Sequence, residues 1–277
     1  MALPEVERAV CPSCGGRGWV VQLDGGAGTA RPCFCRQYDV VPRLLAAAGI
    51  PDRYRECRLA NFKVNSGTPS KHSQLLAARA AAQRYANDFL TPEGFTHSGL
   101  LFIGPPGAGK THLAVGVLVE VMERYSVHGR FVELNTFFNQ MQSTFGQAAA
   151  ESTQAVLTPL MEAQLLVLDE LGTQQPHPWI RDVLYLVINT RYTRRRPTLF
   201  TTNYRLPSAA ADAAPGNGQS LDRGRDPDPT WDEAQALSTR LPAMLVSRLY
   251  EMTQPVLLTG VGDFRREQSS AGKARRR

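Results

Sequence analysis

The sequence predicts an α/β protein: a three-layer domain on a five-strand parallel sheet, preceded by a small metal-binding segment. Three observations carry this. Short apolar runs of strand length alternate with longer stretches of helical period, the pattern of a parallel sheet covered on both faces. A glycine-rich turn, Gly104-Pro105-Pro106-Gly107-Ala108-Gly109, stands between the first strong strand and the first strong helix. Four of the five cysteines crowd into the first 35 residues, where large apolar side chains are scarce.

The elements follow in order. Residues 1–36 are rich in Gly and Cys and cannot hold a fold by burial alone. Helices are expected at Val41–Ala48 and Ser73–Leu90, joined by an irregular run over 49–70. Leu100–Ile103 reads as a buried strand, followed by the glycine turn and a helix from Lys110 to about Tyr125. Arg130–Glu133 reads as a strand and Thr136–Phe145 as a helix with Asn135 as its N-cap. Leu165–Leu168 is a third strand, Trp179–Arg194 a helix, and Thr198–Thr201 and Val256–Thr259 the last two strands. Between those two, 207–235 is mostly Ala, Asp, Pro, Gly and Arg, which predicts a disordered insertion ahead of a helix starting near Leu241.

Composition limits the function. Hydrophobic residues make up 43% of the 277 and charged residues 20%, enough to build a core. No apolar run reaches membrane-spanning length, and the first residues are acidic where a secretory leader would be basic; a soluble chain of the cytoplasm is expected. The formal charge of +6 is mostly a property of 265–277, where Arg265, Arg266, Lys273, Arg275, Arg276 and Arg277 oppose Glu267 alone. That leaves +1 over residues 1–264, so the net charge itself is a weak argument for nucleic acid.

The glycine turn has two glycines separated by four residues, then Lys110, Thr111 and His112. Such a loop wraps phosphates with main-chain N–H groups, the lysine reaches the β- and γ-phosphates, and the threonine hydroxyl ligates magnesium. Asp169 and Glu170 end a buried strand 58 residues beyond Thr111, a position where Asp169 can hold the magnesium and Glu170 can orient and deprotonate an attacking water. The second acid suits hydrolysis better than transfer to a metabolite. Asn203 emerges from the Thr198 strand within reach of a γ-phosphate, and Arg248 lies on an apolar-periodic helix as a candidate arginine finger for a neighbouring subunit. Cys11, Cys14, Cys33 and Cys35 offer four thiolates without a histidine, the donor set of a closed structural zinc site. Phe131, Phe137, Phe138 and Phe145 are read as core rather than as a base-stacking platform, because no basic residues interleave them.

These motifs carry a resemblance. Residues 45–266 resemble the AAA+ ATPases of the bacterial helicase-loader and transposition-helper group, the DnaC/DnaI and IstB-like proteins. The likeness rests on Leu-Leu-Phe-Ile-Gly-Pro-Pro-Gly-Ala-Gly-Lys-Thr-His-Leu-Ala (100–114), Leu-Leu-Val-Leu-Asp-Glu-Leu-Gly (165–172) and Ile-Asn-Thr-Arg-Tyr (188–192). It continues through Arg-Pro-Thr-Leu-Phe-Thr-Thr-Asn-Tyr (196–204), Ser-Arg-Leu-Tyr-Glu-Met (247–252) and Gly-Asp-Phe-Arg (262–265). It implies an AAA+ P-loop domain that hydrolyses ATP, with Walker A over Gly104–Thr111 and Walker B at Asp169 and Glu170. It further implies sensor 1 at Asn203, the arginine finger at Arg248 and a sensor 2-like role for Arg265.

The expected division is a four-cysteine zinc-binding domain at 1–38, a helical linker at 39–97, the AAA+ domain at 98–264 with its 207–235 insertion, and a basic tail at 265–277. The 18 residues from Gly260 onward are too few for the helical lid of most AAA+ domains, a feature loaders of this group share. The resemblance implies three partners: a replicative DnaB-type helicase, single-stranded DNA, and further copies of the chain in an ATP-dependent oligomer. No Lys or Arg occurs over 131–180, the interval expected to meet DNA, so contact there would fall to main-chain N–H groups and to residues such as Asn139, Gln140 and Ser143. The cysteine segment favours a helicase loader over a transposition helper. A small-molecule kinase is disfavoured by Glu170, by Arg248 and by the missing lid.

Overall fold

A computed structural model of the chain describes residues 11, 13–15, 19–24, 27–33, 35–64, 68–92, 94–144, 149–174, 177–206, 236–258 and 264. A β-hairpin opens it, β1 (Trp19–Asp24) and β2 (Ala27–Pro32), followed by α1 (Cys35–Ala47), a short 3-10 turn at Asp52–Tyr54, and α2 (Pro69–Asn87). The small pair β3 (Leu90–Thr91) and β4 (Gly94–Phe95) leads into the central unit. That unit comprises β5 (Gly99–Ile103), α3 (Lys110–Tyr125), β6 (Gly129–Glu133), α4 (Leu134–Thr144), α5 (Ala149–Glu162), β7 (Leu165–Asp169), α6 (Pro178–Thr193) and β8 (Thr198–Thr202). A 3-10 turn at Leu237–Thr239, α7 (Ala243–Met252) and β9 (Thr253–Leu257) complete it.

The five long strands form one parallel sheet in the order β6-β7-β8-β5-β9. Its two faces explain why the inner strands are apolar without alternation. In β5, Leu100 and Phe102 pack with α3 and α2, whereas Leu101 and Ile103 pack with α6 and α7. In β7, Leu165 and Val167 face the first layer and Leu166 and Leu168 the second. Both faces are therefore dry, as an all-parallel sheet requires. Gly99 lets β5 begin flush against β8, since a side chain there would collide with the Thr198 carbonyl oxygen, 1.8 Å from the Cβ position.

Three readings need correction. The last strand is Thr253–Leu257, beginning earlier than the sequence suggests and including Pro255; β9 lies at the sheet edge, where proline is tolerated. Helix α5 has no counterpart in the sequence reading. Pro159 inside it disguised the helical period, yet Leu157 and Leu160 are buried against the second core, and that packing overrides the local preference. Asn135 is not an N-cap. It is the second residue of α4, with its side chain directed elsewhere. Phe131 and Phe138 are buried and Phe137 packs against the core, as expected, whereas Phe145, the 207–235 insertion and the basic tail lie outside the described residues.

Among the described residues no helix is long and apolar enough to cross a membrane.

Candidate active site

The chemistry-bearing residues meet at the C-terminal ends of β5, β7 and β8, which are neighbours in the sheet. The loop after β5 turns on two left-handed glycines, Gly107 at φ 80° and Gly109 at φ 93°. A side chain at Gly109 would stand 2.7 Å from the Phe62 ring, so the loop is braced from outside by the segment before α2. Gly109 also caps α3, so Lys110 opens the helix and the loop sits on its positive end. Lys110 is buried, and its Nζ donates to the Pro105 carbonyl 2.8 Å away, across the loop. Gly104 N–H donates to Thr202 O at 3.3 Å, which ties the loop's first residue to the end of β8 and sets Asn203 beside it.

Asp169 is 1% exposed at the end of β7 and receives two hydroxyls. Thr111 donates at 2.9 Å to Oδ1 and lies 3.2 Å from Oδ2, and Thr201 donates to Oδ1 at 2.6 Å. Burial pushes the Asp169 carboxyl above the usual carboxylate range; the Thr201 and Thr111 hydrogen bonds oppose that, Glu170 adds to it and Lys110 opposes it. Glu170 follows in a left-handed conformation, φ 62°, which a residue with a side chain adopts only when its surroundings hold it. Its N–H donates to Thr201 Oγ1 at 2.9 Å, and its carboxylate Oε2 accepts from Asn135 Nδ2 at 3.2 Å. Thr201 thus positions both acids from the neighbouring strand. Neither Thr201 nor Asn135 was picked out as a site residue by sequence. A threonine in a strand and an asparagine before a helix each have a commoner reading, and nothing local distinguishes these two.

The remaining predicted residues are placed as follows. His112, in the first turn of α3, points away from the loop: its Nε2 lies 3.0 Å from Arg58 O and 2.9 Å from Asn61 Oδ1, so its side chain ties α3 to the upstream segment. Burial pulls its pKa down. Arg248 lies on α7, and among the described residues its side chain meets Tyr185 and Tyr192 of α6 rather than Asp169, Glu170 or the loop. Arg265 is outside the described residues, but Phe264 N–H reaches Gly107 O at 3.4 Å, so the chain returns to the loop just before it.

A second cluster lies at the start of the chain. Cys11 and Cys14 sit in a turn closed by Gly15 N–H on Cys11 O at 2.8 Å. Cys33 follows β2, and because Trp19 pairs with Pro32, the hairpin brings its two ends together. The three sulfurs lie within 4.8 Å of one another, with Cys11 and Cys33 Sγ 3.7 Å apart. Tetrahedral ligation at Zn–S of about 2.3 Å requires sulfurs about 3.8 Å apart, so the spacing fits that ion. Cys35 opens α1, and its side chain is outside those described.

A parallel sheet with a phosphate loop after one strand and an acid pair after its second neighbour defines an AAA+ nucleotide-binding fold. The chain belongs to the IstB-like ATP-binding protein family, whose model matches residues 46–211. It is 24% identical over 178 residues to the uncharacterized protein YqaM of Bacillus subtilis (strain 168), covering 62% of this chain and 54% of that one. It is 27% identical over 164 residues to the replicative helicase loader DnaC of Escherichia coli (strain K12), covering 58% of this chain and 61% of that one. The match thus spans somewhat over half the length of these relatives. The crystal structure of the DnaC helicase loader superposes with a TM-score of 0.53 at 25% identity, over 75% of this chain and 99% of that one. The crystal structure of DnaI gives 0.54 at 19% identity, over 76% and 94%, a likeness of fold.

Proposed function

We propose that this chain is an ATP-driven loader that places a hexameric DnaB-type replicative helicase on single-stranded DNA, acting in the cytoplasm as an ATP-assembled oligomer. The observation that supports the reading is the meeting of Lys110 with the glycine loop and of Thr111 with Asp169 in the same chain as a sulfur cluster spaced for zinc.

In this reading the triphosphate lies on the loop 104–111, and Lys110 exchanges the Pro105 carbonyl for the β- and γ-phosphates. Magnesium fits between Thr111 and Asp169, two hard oxygen donors already side by side; bound there, it neutralises phosphate charge. Glu170 orients water in line with the γ-phosphate and takes its proton, Asn203 holds a γ-phosphate oxygen, and ATP and water leave as ADP and phosphate. Arg248 supplies a cation to the nucleotide of the adjacent copy, so turnover follows assembly. Cys11, Cys14 and Cys33 would hold zinc with Cys35 as the fourth thiolate, and the ion would crosslink a segment with little core of its own. That segment and α1 grip the helicase, and hydrolysis releases the loader once DNA is engaged.

The test is light scattering on a sizing column, with the replicative helicase of the same organism, with and without ATP and magnesium. A nucleotide-dependent complex is expected, and a chain beginning after Arg36 should lose it while keeping its ATPase. Metal analysis should find one zinc per chain, absent in Cys11→Ser. No complex under any condition would reject the loader reading. The second reading, an ATPase that helps a transposase, draws on the IstB-like description of the family; it would gain if the chain instead bound a transposase through the cysteine segment.

A further inference from the structure

Arg248 is held in an unusual way for a half-buried arginine. Its guanidinium carbon stands 4.9 Å from the Tyr185 ring centroid and 5.6 Å from that of Tyr192, two turns further along the same face of α6. Nη1 is covered and has no hydrogen-bond partner. Among the described residues Arg248 makes no ion pair, although Glu251 lies one turn away on its own helix, at the spacing where such pairs ordinarily form. The Glu251 carboxylate is engaged otherwise: its Oε2 accepts the Tyr192 hydroxyl. Ring faces can orient a guanidinium without consuming its donors, whereas a carboxylate would consume them and cancel the charge. Both rings lie at the surface, 37% and 36% exposed.

We infer that Tyr185 and Tyr192 are positioning residues for Arg248. The two rings hold the guanidinium flat on α6, and the Tyr192 hydroxyl keeps Glu251 off it. The cation is therefore offered with its charge uncancelled to an oxyanion from outside the chain. The oxyanion is the terminal phosphate of a nucleotide bound by a second copy. This rests on the reading of Arg248 as a cation acting between copies, and the test separates the two ideas.

The experiment mixes full-length Glu170→Gln chains, which keep Arg248 but cannot hydrolyse, with Arg248→Ala chains, which keep Glu170 but lack the cation. The mixture should turn over ATP faster than either chain alone. Adding Tyr185→Leu to the Glu170→Gln chain should cut that turnover about fivefold, the loss of roughly one ring–cation contact. The same substitution in the Arg248→Ala chain should leave the mixture unchanged. Tyr185→Phe, which keeps the ring, should restore turnover in the donating chain. Tyr192→Phe there should lower it about twofold by releasing Glu251 onto Arg248, and Tyr192→Phe with Glu251→Gln should recover it. Binding of a fluorescent ATP analogue to each chain alone should not move. If Tyr185→Leu acts equally in either chain, or in neither, the tyrosine role is overturned. If mixing gives no gain, the action of Arg248 between copies fails, and the tyrosine role fails with it.

Discussion

Strand β8 carries a threonine near each end that serves a buried charge, and the two ends handle that charge differently. At the start, Thr198 Oγ1 accepts from Arg191 Nε at 2.8 Å. The Arg191 guanidinium, fully buried, also donates to the carbonyls of Leu160 and Ala163 at 2.8 Å and Pro197 at 2.6 Å. Those oxygens belong to the end of α5 and the entry to β8, so one side chain ties two segments together. At the other end, Thr201 serves Asp169, whose further partners are one hydroxyl from Thr111 and the nearby Lys110. Arg191 is saturated by groups that cannot leave. Asp169 and Lys110 hold partners that a cation and a phosphate can replace. Burial of a charge therefore does not mark a site; exchangeable partners do.

The largest predicted contrast follows from that difference. Arg191→Met strands several buried carbonyls and should cost roughly 3–5 kcal/mol, lowering the melting temperature by on the order of 10 °C. Nucleotide affinity should persist below the new transition. Glu170→Gln should do the reverse, cutting turnover by roughly a hundredfold or more through loss of the proposed base with a melting temperature close to the parent. Thermal melts and single-turnover hydrolysis on both variants check this. An Arg191→Met protein that melts like the parent would dissolve the comparison.

How much of this was legible in sequence divides along the same line. The buried strands around Leu100, Leu165 and Thr198 announced themselves, because parallel strands covered on both faces must be apolar throughout. The strand, glycine turn and helix around Gly104–Thr111, and the placing of Asp169 beside Thr111, were legible because the proposed chemistry needs fixed residue types at fixed offsets. What stayed hidden depends on contacts made far along the chain. Arg191 appeared only as part of a recognisable run, since its acceptors lie about 30 residues earlier and a few residues later. Thr201 looked like any strand threonine, and Asn135 like a helix cap, until folding set both beside Glu170. The hairpin β1–β2 was missed because only β1 carries a strand-like apolar run, Trp19-Val20-Val21, whereas its partner β2 is Ala-Gly-Thr-Ala-Arg-Pro, and only the flanking cysteines hinted at an organised segment.

The finer prediction compares the two threonines directly, with substitutions that keep shape and delete one hydroxyl. Thr198→Val leaves Arg191 Nε without its acceptor in a dry site and should cost about 1–2 kcal/mol of stability; the magnesium dependence of hydrolysis should be that of the parent. Thr201→Val costs a similar amount, because Glu170 N–H loses its acceptor, but its main effect should be elsewhere. Asp169 loses the hydroxyl that fixes its carboxylate, and Glu170 loses the contact that holds its left-handed turn. Loss of such a supporting partner typically lowers metal affinity or activity about 10- to 100-fold. The apparent magnesium requirement should rise and turnover fall, whereas nucleotide binding measured in EDTA should be unchanged. Thr201→Ser, which restores the hydroxyl on a smaller side chain, should recover most of both. If Thr201→Val shifted only the melting temperature, as Thr198→Val should, the two ends of β8 would be doing the same work, and the positioning of both acids would have to come from Thr111 and Asn135.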